Sequence, residues 1–135
     1  MSTKPVITFA QSQAAMAAMI EKAMQTPDQP VAIAIVDPAG DLILFRKLDG
    51  VQVGSVDIAL AKARTAARFR RETKALADAI AGGATGLLSV DNIIALEGGV
   101  PISYEGAVLG GIGVSGVQSS QDAEVARAGA AALRP

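Results

Sequence analysis

Apolar residues first recur at helical spacing. In "TFAQSQAAMAAMIEKAMQTP", Phe9, Met16, Ile20, Ala23 and Met24 fall near a period of about 3.6 residues. A helix is predicted here. Thr8 followed by Gln11 makes a capping box at its start, and Pro27 is a stop. The pattern then changes to alternation. In "VAIAIV" the side chains of Ile33 and Ile35 share one face, and those of Ala32 and Ala34 share the other. Asp37, Pro38 and Gly40 supply turn chemistry, so "VAIAIVDPAGDLILFRKL" reads as a β-hairpin.

Helical periodicity returns in "SVDIALAKARTAARFRRETKALADAIAGG", expected as two helices. Ser55 and Thr73 are the expected caps, and Gly82 the expected end. Ala59, Ala63, Ala66 and Ala67 form a small-residue stripe that would let a helix lie close on a sheet. Further strands are predicted over 93–97, 100–104 and 107–115, with Glu105 and Gly106 as a tight turn. A last helix follows, capped by Ser119 or Ser120, with Asp122 and Glu124 complementing its dipole. Short connections favour antiparallel pairing. The expectation is an α+β fold, one antiparallel sheet with helices packed against it, in one domain spanning residues 1–135.

Composition sharpens this. Apolar residues make up 50% but aromatics only 3%, so the core must be built from Ala, Val, Ile and Leu in close contact. Charged residues are 19%, below the roughly 25% of an ordinary domain, which argues for a homo-oligomer. A net charge of −1 gives no general affinity for nucleic acid or anionic lipid. No apolar run is long enough to span a membrane, and the opening residues lack the order of a signal peptide. The expected location is the cytoplasm.

The absences remove much chemistry. With neither Cys nor His, thiol nucleophiles, Ser-His-Asp triads, ordinary zinc sites and histidine-ligated haem are excluded. No metal site is expected. Any proton transfer would fall to Asp, Glu, Lys or Tyr104.

One stretch stands out: "GGVPISYEGAVLGGIGVSG", residues 98–116. Each glycine weakens a strand by roughly 0.5–1 kcal/mol, so this density needs a reason. Gly111, Gly113 and Gly116 match the dinucleotide fingerprint by letter, but no further strand with an acidic residue follows. Two readings survive. In the first, Gly110, Gly111 and Gly113 clear space on the sheet for alanine-faced helices. In the second, Gly98-Gly99 and Gly113-Val114-Ser115-Gly116 leave backbone N–H groups free at strand ends, and Ser115 with the N-terminus of the last helix holds an anion such as a carboxylate. Pro101 would then rigidify the strand entry beside the pocket.

The segments "VDPAGDLILFRKLDG", "SVDIALAKARTAARF", "GGVPI", "GGIGVSG" and "QDAEVARAGAAAL" resemble the GlcG/HbpS-like family, which includes GlcG proteins, the haem-binding HbpS and the C-terminal domain of PduO-type proteins. The resemblance spans Phe9 to Leu133. It implies a profilin-like α+β fold with a five-stranded antiparallel sheet, oligomers and, for some members, haem or iron binding and haem breakdown. The family's motifs fall on Lys62, Ala63, Thr65 and Ala66; on Gly98, Gly99 and Pro101; and on Gly110, Gly113, Val114, Ser115 and Gly116. Some haem-binding relatives use an axial histidine, which this chain lacks. A haem cofactor would need Tyr104, a Met, a Lys or a hydroxyl such as Thr65.

Three functions follow as expectations. The leading one is a cytoplasmic, oligomeric small-molecule-binding protein or accessory factor of a catabolic pathway, with haem or a small organic acid as ligand. The second is an isomerase or lyase acting on a small carboxylate, with Lys62 holding the anion or acting as base and Glu97 or Tyr104 assisting. The third is a purely structural oligomer.

Overall fold

The computed structural model describes residues 5–116 and 118–133. Residues 1–4, read above for a leader, lie outside them. Helix α1 (Phe9–Ala23) starts at the expected capping box, with both of its hydrogen bonds made. Strands β1 (Ala32–Val36) and β2 (Leu42–Lys47) form the hairpin. Helices α2 (Gly54–Phe69) and α3 (Thr73–Ala81) follow, then a 3₁₀ turn over Thr85–Ser89. Strands β3 (Gly99–Tyr104) and β4 (Ala107–Ser115) make a second hairpin, and α4 (Ser119–Ala131) closes the chain.

The strand order is β2-β1-β4-β3, antiparallel throughout. Among the described residues the sheet has four strands, where the family resemblance implied five. The difference lies at 93–97, which was expected to be a strand. There the Ile94 N–H donates to the Thr65 hydroxyl on α2, not to a neighbouring strand. The segment is thereby held against a helix as a loop.

Central strand β1 is buried on both faces. Ile33 and Ile35 pack with Met16, Met19, Ile112, Val114, Val125 and Ala126, beneath α1 and α4. Ala32, Ala34 and Val36 meet Ala59, Ala63 and Ala67 of α2 on the opposite face. The two faces therefore differ in kind. One is a conventional aliphatic core. The other is a seam of alanine against alanine and glycine.

Gly113 shows why the seam needs glycine. A Cβ there would overlap the Ala59 carbonyl and the Ala63 amide, both backbone of α2. At Gly111 it would come within 2.9 Å of the Ala67 Cβ. The packing reading thus accounts for these two positions directly. No helix among the described residues is long and apolar enough to cross a membrane.

Candidate functional site

Lys62 lies within the alanine stripe, between Ala59 and Ala66, so helical geometry carries its stem into the seam. The residue is only 2% exposed. Its ammonium donates to the Val114 carbonyl at 2.9 Å and to Asp122 Oδ2 at 3.3 Å. Asp122 comes from the first turn of α4 and is equally enclosed. Its Oδ2 also accepts the Gly116 N–H at 3.1 Å. Asp122 Oδ1 has no hydrogen-bond partner among the described residues. The pair therefore ties α2, the end of β4 and the start of α4 together.

Burial penalises both charges. It lowers the Lys62 pKa from its ordinary value, and the Asp122 carboxylate only partly opposes that shift. It raises the Asp122 carboxyl, against the pull of Lys62 and of the Gly116 N–H.

Gly98 passes directly over the ammonium. Its φ of 133° lies in the region that favours glycine, and a Cβ would come within 2.7 Å of Lys62 Nζ. Gly99 follows in the same closed seam, its N–H donating to Thr73 Oγ1 at 2.8 Å. A Cβ on Gly99 would meet the Lys62 carbonyl at 2.5 Å and Thr73 Cγ2 at 2.6 Å. Gly99→Ala should therefore lower stability by about 1–3 kcal/mol through overpacking, read as a shifted urea midpoint. An unchanged midpoint would show that the seam yields.

The structure gathers most of the residues singled out by sequence at one end of the sheet. Gly99 lies opposite Gly113 in register. Ser115 is buried, its hydroxyl donating to that of Ser55 at 3.2 Å. Glu97 is half-buried and adds a negative charge that favours the charged form of Lys62. Pro101 lines a cavity of about 380 Å³ with Glu72, Ser103 and Arg127. Arg127 Nη2 pairs with Glu72 at 2.7 Å and reaches Glu97 at 4.0 Å. Tyr104 is elsewhere. It ends β3, roughly 16 Å along the strand from Gly99 at about 3.3 Å per residue, and is 46% exposed. The turn after it, with φ of 49° at Glu105 and 80° at Gly106, has the positive-φ pair of a tight hairpin.

Sequence reasoning missed the partners. Asp122 was read as a dipole complement, yet it shares a stripe with Val125, Ala126 and Gly129, all buried. A carboxylate at i before apolar residues at i+3, i+4 and i+7 is the signal that could have found it. Thr73 was expected to cap α3, but Glu72 holds that place and Thr73 serves Gly99 instead. Ser55 likewise caps nothing: Val53 precedes α2, and Ser55 pairs with Ser115. Gln118, not Ser119 or Ser120, precedes α4.

A four-stranded antiparallel sheet, lined on one face by an alanine helix and on the other by two helices, defines the class as α+β. Its particular family follows from comparison. The chain belongs to the HbpS-like family, whose model, described as "Haem degrading protein HbpS-like", matches residues 7–131. It is 38% identical to Protein GlcG of Escherichia coli K12 over 115 residues, 85% of each chain. The fold is similar to that of a double mutant of HbpS from Streptomyces reticuli, with a TM-score of 0.91, 33% identity, and coverage of 100% of this chain and 92% of that one. It also resembles PduOC in its haem complex, with a TM-score of 0.84, 27% identity and 95% coverage of both chains.

Proposed function

We propose that this chain is an oligomeric small-molecule-binding accessory protein of a catabolic pathway, working in the cytoplasm, with haem or a small organic acid as ligand. The likeness to PduOC in its haem complex is the observation that carries this reading. The enclosure of Lys62 supports a binder over an enzyme, because an ammonium locked onto Val114 and Asp122 is not presented to a substrate. The open space beside Pro101, bordered by Glu72 and Arg127 and next to Glu97, is where a small ligand would lodge at this end of the sheet. Gly98 and Gly99 lead directly into Val100 and Pro101 of its lining, and Gly113, opposite Gly99, with Ser115 would brace that end of the strand from β4.

Haem makes stricter demands, and the donors within one chain meet few of them. Met16 and Met19 are committed to the core. The buried Thr65 hydroxyl donates to the Ala61 carbonyl and accepts from the Ile94 N–H. Tyr104 is the accessible aromatic donor, and it stands on an open hairpin. A haem ligated there would be covered on its other face by a second copy of the chain, which is why we join the haem and oligomer readings. Titration with ferric haem should give weak, saturable binding, with the Soret change lost in Tyr104→Phe. A tight complex that survives Tyr104→Phe would move the ligand to a lysine or methionine.

The enzyme reading retains one observation: a buried lysine with a lowered pKa suits a general base. It requires the Gly98 segment to open, and it leaves Tyr104 too distant to assist. Turnover of a small carboxylate by the purified protein, lost in Lys62→Met variants that remain folded, would establish it.

A further inference from the structure

A second groove lies on the outer side of α2, away from the Lys62 pair. It has a volume of about 380 Å³, within the roughly 300–1,000 Å³ of small-molecule sites. Asp57, Leu60, Arg64 and Arg68 share one helix stripe along it, and Asn92, Ile93 and Ile94 form the facing wall. Both walls are fixed. The Ile94 N–H on Thr65 ties the loop to α2. On the other side the Arg64 Nε donates to the Gly40 carbonyl at 3.0 Å, and the Arg68 Nε to the Ala39 carbonyl at 2.9 Å. The β1–β2 turn is shaped for this, since a Cβ on Gly40 would come within 2.6 Å of Arg68 Nε.

Two guanidinium groups one helical turn apart repel each other, and helices ordinarily offset such pairs with a carboxylate. Neither arginine has a salt-bridge partner among the described residues. Each spends its Nε on a backbone carbonyl, and no hydrogen bond engages the terminal nitrogens of either among those residues. Those nitrogens are the ones that grip a carboxylate in a forked arrangement. Asp57 stands about two turns from Arg64, roughly 10 Å at 1.5 Å per residue. The groove is thus polarised: positive at the Arg68 end, apolar along Leu60, Ile93 and Ile94, and negative at the far end.

We propose that this groove binds an organic monocarboxylate with a compact apolar body, its carboxylate on Arg64 and Arg68 and its body against Leu60 and Ile93. The apolar walls exclude a fully hydrated anion, and Asp57 disfavours a second negative charge. Those two features select a monocarboxylate over a phosphate ester. The inference rests on the small-molecule reading above for its ligand class, but it places the ligand at a different position from the Pro101 cavity.

The test is calorimetric titration of the whole chain with benzoate, butyrate, acetate and inorganic phosphate. Benzoate should bind most tightly, acetate least of the carboxylates, and phosphate should not compete. Arg64→Gln and Arg68→Gln should each weaken benzoate at least about tenfold, the loss expected for a charge-assisted hydrogen bond. Ile93→Glu, which leaves both arginines on the turn, should abolish binding by placing a charge on the apolar wall. Circular dichroism checks that each variant is folded. Benzoate affinity unchanged in the arginine variants, or no benzoate binding by the wild type, overturns the proposal. Phosphate binding with the same arginine dependence would overturn the monocarboxylate assignment. Ferric haem titrated in parallel separates the two readings: haem uptake without benzoate binding removes this site alone. Benzoate binding without haem uptake removes haem as the ligand and leaves this site standing.

Discussion

Asp122→Asn should destabilise the protein by about 3–5 kcal/mol at neutral pH, the range for breaking a buried ion pair from one side. The asparagine still offers an oxygen to the Gly116 N–H, so the loss reports mainly the stranded Lys62 ammonium. The pH dependence identifies the cause. The Lys62 pKa is already lowered by burial, and the Asp122 carboxylate is the strongest influence holding it up. In the variant it falls further. Between that depressed value and the ordinary lysine value of 10.5, the unfolded chain binds more protons than the folded one. Stability therefore rises with pH across that window. Part of the deficit relative to the wild type should return as pH rises from the variant's further-depressed Lys62 value to the wild type's own lowered value, read as urea midpoints against the wild type. A deficit that stays constant across that range would mean that the loss comes from packing, not charge. Lys62→Met with Asp122→Leu should cost less than the two single changes summed, because no charge is then left buried alone.

Gly113→Ala is the second large effect. The added methyl would overlap backbone atoms of α2 at Ala59 and Ala63, which cannot rotate away as a side chain can. The helix would have to lift off β4 and β1. The expected cost is roughly 3 kcal/mol, at the top of the range for overpacking, and Gly113→Val should not fold. Gly86→Ala is the control. It has open space around its Cα and no positive φ, so its effect should be small. Equal midpoints for the wild type and Gly113→Ala would show that the seam is looser than described.

These contrasts also explain what could be read from the chain. The first helix was legible because its capping box is local and both hydrogen bonds lie within four residues. The hairpin was legible because "DPAG" carries its own turn chemistry, and the alternation of Ile33 and Ile35 with Ala32 and Ala34 gave both faces of β1. The segment 93–97 misled because its apolar residues fit a strand as well as a loop pinned by Thr65, and that pin depends on a residue far away in sequence. The same holds for the site. Lys62 could be singled out, but its partners Val114 and Asp122 are remote and meet it only in the folded chain. The caps expected at Ser55 and Thr73 failed for a related reason: both residues found tertiary partners that outcompeted the local amides.

The position of β1 has a consequence during synthesis. β1 pairs with β2 at once, but its other edge waits for β4, with Ala32 opposite Ser115. Until β4 has left the ribosome, one edge of an apolar strand is unsatisfied, and such edges recruit other chains. Closing the sheet late also makes folding slow, since the central pairing joins distant residues. A chain truncated before β4 would therefore be expected to appear in inclusion bodies rather than as a smaller folded unit.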